Sequence, residues 1–340
     1  MTANKEVMAK HGPEILERAA ARGLDVAFEA SVGGGIPIVA ALSQGLAANQ
    51  ILALQGILNG TSNFILTAMS EHGHSYAAAL AEAQRLGYAE ADPTLDVDGT
   101  DAAHKLAILA QLAFGLPVPQ AAIDRRGIAG LHEMDIRFAG ELGYTIKLLA
   151  EAWLDADPQR HGAGQLALHV SPVLLRHQTP LAEVRGAYNA VNVVGDAVGD
   201  TLYYGRGAGQ MPTASAVLAD VIDMAVGRAQ RTFQTMRLWS GNGGGISLRP
   251  SSGVRSRFYL RLLVEDRPGV LAEIAQQLAQ HQISISSLIQ HEALDEQEGD
   301  TVPLVIMTHT VQTGNFRAAV AGIDRLGCVT GPGAYFPVGD

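Results

Sequence analysis

A glycine- and serine-rich segment constrains the fold most, because it divides the chain into two units of unequal length. This segment, Ser240–Ser256, interrupts the composition of the 340-residue chain, and we interpret it as an interdomain linker. The apolar patterns of 257–336 then follow the order β-α-β-β-α-β, which predicts a ferredoxin-like module. Before the linker, short apolar strands alternate with helices, as in α/β and α+β domains.

Composition and charge exclude several classes of protein. The chain has 24 Lys and Arg residues against 34 Asp and Glu residues, which gives a net charge of −10 and no basic run. We therefore expect neither a nucleic acid nor an anionic membrane surface as a partner. No apolar run reaches the ~18 residues of a membrane span, and the N-terminus lacks the apolar stretch of a secretion signal. With Cys328 as the single cysteine, these features predict a cytoplasmic protein.

Local patterns predict most elements of the first unit. The predicted helices are 1–22, Ile38–Leu46, Asn63–Ser70 (capped by Thr61 or Ser62), Ala77–Leu86, Asp101–Phe114 (capped by Thr100), and one that begins at Pro212 and Thr213 and runs to Val226. The predicted strands are Asp25–Ala30 and Ile51–Leu58, and Leu131–Val194 is expected to hold mainly strands. We expect a glycine turn at 33–35 and an acidic loop at Tyr88–Asp98.

The acidic loop and the start of the helix after it form the most informative stretch, 87–105 (GYAEADPTLDVDGTDAAHK). A calcium loop of the EF-hand type is excluded. With Asp96 and Asp98 at loop positions 3 and 5, the bidentate carboxylate of position 12 would be replaced by Lys105. A solvated acidic loop and a ligand site remain as alternatives.

Asp101 and Lys105 lie four residues apart on one face of the predicted helix. The alternative to a functional role is a surface ion pair of less than ~0.5 kcal/mol. The helix is apolar nearly all round, however, so we expect it to be buried, and a buried Asp and Lys are costly unless they face a cleft or a ligand. Carboxylates can hold an ammonium or hydroxyl group of a small zwitterion, and a lysine can transfer a proton.

Several motifs, in order along nearly the whole chain, resemble homoserine dehydrogenases. They are Thr2–Lys5, Phe28–Pro37, Gly56–Leu66 (GILNGTSNFIL), Glu82–Gln84, Gly87–Pro93 with Asp96, Gly99–Lys105, Gly205–Gly209 and Pro212–Ala216. The resemblance implies NAD- or NADP-dependent interconversion of L-homoserine and L-aspartate 4-semialdehyde, in the biosynthesis of threonine, methionine and isoleucine.

The resemblance also implies roles for individual residues. Lys105 matches the proton donor, and Lys5 matches a second lysine near cofactor and substrate. The implied substrate-binding residues are Gly87, Glu90, Asp96 and Asp101; the cofactor-binding residues are Lys5, Gly207, Ala208 and Gly209; and the residues of a sodium site, made largely of backbone carbonyls, are Glu29, Val32, Gly34 and Ile36. Without the resemblance, Glu29 also fits an ordinary helix cap or surface carboxylate.

Members of this family begin with a nucleotide-binding half that carries a G-x-G-x-x-G turn, and no such unit precedes Lys5. We therefore expect about 100 residues of that domain to be absent, and catalysis to depend on such a half from elsewhere. We interpret 1–30 as a remnant of the Rossmann-type NAD(P)-binding domain, with 205–235 packing back on it. We interpret 31–204 as the α+β catalytic and dimerisation domain, followed by a linker at 240–256.

The module at 257–336 resembles an ACT domain, on the runs Asp266–Leu271 and Ile283–Gln290. The resemblance implies an L-threonine effector and a homodimer or homotetramer. Backbone N–H groups at a helix N-terminus suit the effector carboxylate, and the effector residues would be Asp266, Gly269 and Val270. One alternative is a purely structural dimerisation module. Another is that the whole chain is a catalytically inactive amino-acid-binding or scaffolding protein that works through its ACT domain.

Overall fold

The computed structural model describes residues 1–157, 159, 163–230, 245–290 and 301–339. Its helices are α1 (Lys5–Ala20), α2 (Ile38–Ala40, continued by a π-helical turn at Ala41–Gly45), α3 (Gly60–His72), α4 (Tyr76–Arg85), α5 (Thr94–Val97), α6 (Thr100–Phe114), α7 (Glu133–Glu141), α8 (Gln210–Ala225), α9 (Arg228–Gln230), α10 (Val270–Gln280) and α11 (Thr313–Ile323). Its strands are β1 (Ile51–Ile57), β2 (Asp124–Arg125), β3 (Tyr144–Ala156), β4 (Gly164–Arg176), β5 (Tyr188–Gly195), β6 (Gly199–Arg206), β7 (Ile246–Leu248), β8 (Arg255–Glu265), β9 (Ile285–Gln290), β10 (Thr301–Thr308), β11 (Val311–Gln312) and β12 (Ala334–Gly339).

One sheet runs through both units, in the order β6-β5-β1-β3-β4-β12-β8-β10-β9. The strands from β6 to β4 are antiparallel to their neighbours. A short parallel pairing of Val338 and Gly339 with Leu174 and Leu175 joins β12 to β4. The second unit keeps the β-α-β-β-α-β order, with the strand sequence of a ferredoxin-like sheet, so the mixed α/β and α+β expectation is confirmed.

Helix α6 lies between α1 and the sheet strands β1, β3 and β4. Because it is covered on both sides, all of its residues except Thr100 and Ala113 are buried. This position explains the apolar composition of α6 on every face. It also places Asp101 and Lys105, on its first turns, inside the protein.

Three local predictions for the first unit are wrong. Residues 25–30 do not form a strand: the segment ends in a 3-10 turn at Glu29–Ser31, and Ala27 O accepts a hydrogen bond from Thr2 N at 3.0 Å. Phe28 is buried and Val26 half-buried, by packing rather than by pairing in a sheet. Helix α3 is capped by Asn59, and α6 is preceded by Gly99 rather than capped by Thr100.

Two further expectations need correction between 131 and 256. Helix α7 lies in the stretch that was expected to hold strands. Its apolar residues Met134, Ile136 and Phe138 alternate with polar ones as they would in a strand, so the local pattern does not indicate the helix. In the linker expected at 240–256, Ile246–Leu248 pairs with β4, and a 3-10 turn follows at Ser251–Gly253. Residues 240–244 of this linker lie outside the described residues.

Candidate active site

The first turn of α6 is fixed by a glycine and an aspartate. Gly99 has φ of 84°, and a Cβ there would lie 3.1 Å from Val170 Cγ1, so the position requires glycine. The Asp98 carboxylate accepts hydrogen bonds from Thr100 N at 2.7 Å and from the Thr100 hydroxyl at 2.8 Å. These contacts set the direction in which α6 enters the core, and with it the position of Asp101.

The ammonium of Lys105 is buried and partly coordinated. Its Nζ donates to Leu58 O at 2.6 Å and to Asp101 Oδ2 at 2.7 Å, and the side chain is only 10% exposed. A lysine ammonium has three N–H donors, so these two contacts leave one donor for a ligand. Lys105 is thus held in one direction rather than free to rotate.

Asp101 pairs with two ammonium groups. Its Oδ2 accepts from Lys105, and also from Asn59 Nδ2 at 2.9 Å, while its Oδ1 forms an ion pair with Lys5. Burial by itself would raise the pKa of Asp101, but the charges of Lys105 and Lys5 outweigh it and hold this pKa below its ordinary value. The carboxylate is therefore ionised at neutral pH.

Asp96 joins the same network through Asn59. Asn59 Nδ2 donates to Asp96 Oδ1 at 2.7 Å, and Asn59 Oδ1 accepts from Ser62 N at 2.8 Å, which caps α3. Burial raises the pKa of Asp96, and the neighbouring charge of Asp101 adds to that effect. The result is a pocket with two carboxylates and two ammonium groups.

Asn189 connects this pocket to the glycine-rich loop before α8. It is fully buried on β5, and its Nδ2 donates at 3.0 Å to Leu58 O, the carbonyl that also accepts from Lys105. A Cβ at Gly207 would lie 2.0 Å from Asn189 Nδ2, so only glycine fits there. The loop that contains Gly207 therefore lies directly behind the group that positions Lys105.

The cofactor residues expected from the sequence lie on that loop. Ala208 and Gly209 are exposed, and Gly209, with φ of 117°, is the N-cap of the 16-residue helix α8. Backbone can thus approach a ligand closely where unpaired helix amides point outward, which suits an anionic cofactor group.

The loop expected to hold sodium lies beside the same glycines. Gly35 N donates to Arg206 O at 2.8 Å, and a Cβ at Gly34 would lie 3.3 Å from Gly207 O. Val32, Gly34 and Ile36 are buried within this loop. Among the described residues, no group of three His, Cys, Asp or Glu side chains could hold a metal ion, so a cation here would depend on backbone oxygens.

Glu29, at the start of this loop, uses its carboxylate to bind backbone amides. Its two oxygens accept from Val39 N at 2.9 Å and Ala40 N at 2.8 Å, so the helix-cap alternative describes the side chain, while its backbone carbonyl remains in the loop. Its own N donates to Asp220 Oδ2 at 3.1 Å, which ties the loop to α8. Burial raises the pKa of Glu29 to about 7.

Gly87 and Glu90, the remaining expected substrate residues, lie outside the pocket formed around Asp101 and Lys105. Gly87 and the Glu90 side chain are exposed on the loop after α4. Gln84 Nε2 donates to Glu90 O at 3.2 Å, and Thr61 Oγ1 donates to Tyr88 O at 2.6 Å. The loop is thus fastened over the start of α3, beside the pocket but open to solvent.

The expected effector residues lie far along the chain, at the end of β8. Asp266 and Gly269 are exposed, whereas Val270 is buried as the first residue of α10. Gly269 has φ of 97° and precedes that helix. Asp266 and Gly269 thus lie in a solvent-accessible turn at the helix N-terminus that Val270 begins.

Comparison with known proteins shows the family of the chain. The family model "Homoserine dehydrogenase" matches residues 37–222, and the model "ACT domain" matches residues 258–325. A homoserine dehydrogenase of Neisseria gonorrhoeae is 45% identical over 98% of this chain and 75% of its own length. The chain belongs to the homoserine dehydrogenase family. It is accordingly an oxidoreductase of amino-acid biosynthesis, with a C-terminal ACT domain.

Solved structures of the family support the same assignment. The crystal structure of a homoserine dehydrogenase from Thiobacillus denitrificans is 44% identical and superposes with a TM-score of 0.88, over 100% of this chain and 76% of that one. A hyperthermophilic archaeal homoserine dehydrogenase mutant in complex with NADPH is 28% identical, with a TM-score of 0.56, over 66% of this chain and 63% of its own. A homoserine dehydrogenase acts on a small-molecule substrate with NAD(P), and the ACT domain implies that an amino-acid effector binds.

Two residues of the pocket were not assigned a role from the sequence. Asn59 lies within the family motif at 56–66, directly after the strand expected at Ile51–Leu58. Asn189 lies in the stretch 131–194 that is expected to hold mainly strands, with no motif around it, so no local signal identifies it.

Within the described ranges, none of the helices is long and apolar enough to cross a membrane.

Proposed function

We propose that this chain interconverts L-homoserine and L-aspartate 4-semialdehyde with Lys105 as the proton donor. The observation that carries the proposal is the buried Lys105 ammonium, which has one N–H donor left after its bonds to Leu58 O and Asp101. A donor fixed in this way can hydrogen-bond a substrate oxygen and stabilise negative charge that develops on it.

Proton transfer at Lys105 completes the reduction of the aldehyde. The nicotinamide, when bound, supplies the hydride to the carbonyl carbon. As the C=O bond becomes a C–O bond, one N–H bond of Lys105 breaks and an O–H bond forms on the former carbonyl oxygen. Lys105 regains a proton from solvent, and Asp101 stabilises the ammonium form that is ready for the next turnover.

The carboxylates of the pocket would bind the amino group of the substrate. Asp101 and Asp96 lie within one hydrogen-bonded network, and an ammonium ion is complementary to their charge. Gly87 and Glu90 would add contacts from the adjacent loop. Lys5 pairs with Asp101 and has a side chain 45% exposed, so it suits a position between substrate and cofactor.

Gly207, Ala208 and Gly209 would bind the cofactor through backbone groups at the start of α8. The support is the requirement for glycine at 207 and the exposed amides of this helix N-terminus. The NADPH complex of the archaeal relative is consistent with NADP, and NAD remains the alternative.

A sodium ion would bind beside this loop, through backbone oxygens of Glu29, Val32, Gly34 and Ile36. Burial of the loop and the occupation of the Glu29 carboxylate by two amides support carbonyl rather than carboxylate ligands.

Regulation and assembly follow from the ACT module. L-Threonine would bind at Asp266, Gly269 and Val270, where an exposed turn meets the N-terminus of α10. ACT modules pair through their edges, which supports a homodimer or homotetramer in the cytoplasm.

The proposed domain boundaries are 1–30 with 205–235 for the remnant of the NAD(P)-binding domain, 31–204 for the catalytic and dimerisation domain, and 257–336 for the ACT domain.

Replacement of Lys105 tests the proton-donor role. Lys105→Ala should lower kcat by ~10²–10⁴-fold, because the alkoxide loses its proton source. The measurement is L-homoserine-dependent reduction of NAD(P)+. The matched control is Lys10→Ala, which removes an exposed lysine paired with Glu6 and should leave kcat unchanged. Near-normal turnover in Lys105→Ala would show that the assignment is wrong.

A further inference from the structure

A buried lysine outside the Lys105 pocket has no part in the chemistry described above. Lys147 lies on β3, and it is only 2% exposed. Strand β1 pairs with β3 as far as Gly56 and Ala150, so Lys147 lies beyond the end of that pairing. Its side chain therefore meets the elements that follow β1 and precede β5, rather than β1 itself.

The ammonium of Lys147 joins two of these elements. Its Nζ donates to Asn63 Oδ1 on α3 at 3.1 Å and to Val184 O at 2.5 Å. Val184 begins the segment 184–188, which leads into β5 and which we call the β5 turn. Lys147 thus ties this turn to the first part of α3.

Burial makes a charge at this position costly. Lys147 forms no ion pair within the described ranges, and the nearby carboxylates of Glu71 and Glu183 both pair with Arg185. Burial lowers the pKa of Lys147 to about 8. Its partner on β4, Val173, belongs to an apolar cluster, so an apolar side chain would fill this position without that cost. What the ammonium adds is its two hydrogen bonds.

Two side chains of α3 hold the β5 turn together with Lys147. Asn63 Nδ2 lies 3.1 Å from Val184 O, 2.8 Å from Gly186 O and 3.2 Å from Tyr188 O. Gly186, with φ of 59°, donates from its N to Thr67 Oγ1 at 3.0 Å. Asn63 and Thr67 are both buried. The backbone of the turn is therefore held by side-chain hydrogen bonds along its length.

The β5 turn in turn determines where Asn189 lies. Asn189 follows the turn directly, and its Nδ2 donates to Leu58 O, the carbonyl that also accepts from Lys105. A Cβ at Gly60 would lie 2.8 Å from Ala187 O, so α3 begins in close contact with the turn. A shift of the turn would therefore be passed on to Asn189.

We propose that Lys147 is a positioning residue for the dehydrogenase reaction: it holds the β5 turn on α3, and thereby Asn189 and the carbonyl that directs the Lys105 ammonium. The inference rests on the proton-donor role proposed for Lys105. Lys147 acts through the turn and touches no reacting atom. Because a misplacement of about 1 Å can cost ~10²-fold in rate, its loss should act on turnover.

Lys147→Met tests the proposal, because methionine fills the space with a flexible apolar chain and forms neither hydrogen bond. We expect kcat for L-homoserine-dependent reduction of NAD(P)+ to fall about tenfold, with each KM within about twofold of wild type. In an Asn189→Ala background, the same substitution should change kcat by less than about twofold, because both substitutions break one chain of contacts. Amide hydrogen exchange within 184–189 should become about tenfold faster in Lys147→Met.

A second variant and a matched control separate this role from general stability. Thr67→Val removes the acceptor of Gly186 N, and it should show the same pattern with a smaller loss of kcat. Its result decides the question if Lys147→Met fails to fold. Arg185→Gln, which removes an exposed cation from the β5 turn, should leave kcat unchanged.

Several results would overturn the proposal. They are normal turnover in Lys147→Met, an effect additive with that of Asn189→Ala, unchanged exchange within 184–189, and an equal loss of kcat in Arg185→Gln. Failure of the proposed function is a different result, since it would appear as normal turnover in Lys105→Ala.

Discussion

At the scale of single residues, the backbone carbonyl of Leu58 positions two side chains of the candidate site. It accepts hydrogen bonds from Lys105 Nζ and from Asn189 Nδ2, so one backbone atom positions both the proposed proton donor and the residue behind the glycine loop. Leu58 itself is fully buried at the end of β1. The precision of the pocket therefore comes from the sheet rather than from the loop that contains most of the expected substrate residues.

Asn189 should matter for the direction of Lys105 rather than for substrate affinity. We expect Asn189→Ala to lower kcat by ~10–100-fold with a small change in KM, because a misplaced donor slows proton transfer. The pH profile of kcat should shift as well, since Leu58 O would then interact with Lys105 alone. Steady-state kinetics across pH test this. The control is Asn192→Ala, on the same strand as Asn189, which removes side-chain hydrogen bonds to Asp200 on β6 and to Gln55 on β1. An unaltered pH profile would mean a purely structural role.

Glu29 should make stability depend on pH in an unusual direction. Its pKa rises from 4.5 to about 7 on folding, so the folded state binds the proton more tightly. This contribution is present in full below pH 4.5 and is lost as pH rises to 7, a change of about 3 kcal/mol at most.

The check on Glu29 is denaturant unfolding at several pH values. The difference in unfolding free energy between wild type and Glu29→Gln should change between pH 4.5 and 7 and stay flat above pH 7. Glu17→Gln, a surface change on α1, should give a flat difference throughout. A constant difference for Glu29→Gln would contradict the raised pKa.

At the scale of elements, α7 and β8 are joined by a buried ion pair. Asp135 is fully buried and accepts from Arg261 Nε at 2.6 Å and Nη2 at 3.0 Å, and from the Tyr259 hydroxyl at 3.1 Å. The three side chains satisfy one another's hydrogen-bonding groups in the interface between the two units. In the ACT domain, α10 and α11 cover one face of the sheet, and this interface is formed by the opposite face. Such a pair is costly to break, because one charge is left buried.

Asp135→Asn should therefore destabilise the protein by about 3–5 kcal/mol, as urea unfolding would show. Arg137→Ala on the same helix removes a surface pair with Glu141 at 3.9 Å and should cost less than about 1 kcal/mol. If both substitutions had similar effects, the buried pair would contribute little to stability.

At the scale of the whole molecule, the two units share one sheet and one buried interface. Tyr259, Val305 and Phe336 of the ACT domain belong to the main hydrophobic core, while a separate core lies under its helices. We expect a single unfolding transition, seen coincidently by tryptophan fluorescence and by far-ultraviolet circular dichroism. In Asp135→Asn the two probes should separate, because the interface is weakened. Two transitions already in the wild type would mean that the units unfold independently.

Sequence patterns were sufficient where local chemistry decides the structure. The apolar surround of α6 indicated burial, the turn at 266–269 indicated a helix start, and the order of elements in 257–336 indicated the ferredoxin-like module. Where tertiary packing decides, the patterns failed. The apolar run at 25–30 is buried without a strand partner, and α7 has the alternation of a strand although it is a helix.

The sequence by itself determined the family motifs, the two-unit organisation and the choice of Asp101 and Lys105 as the central pair. Only the tertiary structure decided which groups surround that pair, because Leu58, Asn59 and Asn189 come together through sheet register and helix packing. These contacts join residues 42 to 131 positions apart, and they have no local signature, since their free energy depends on the whole fold.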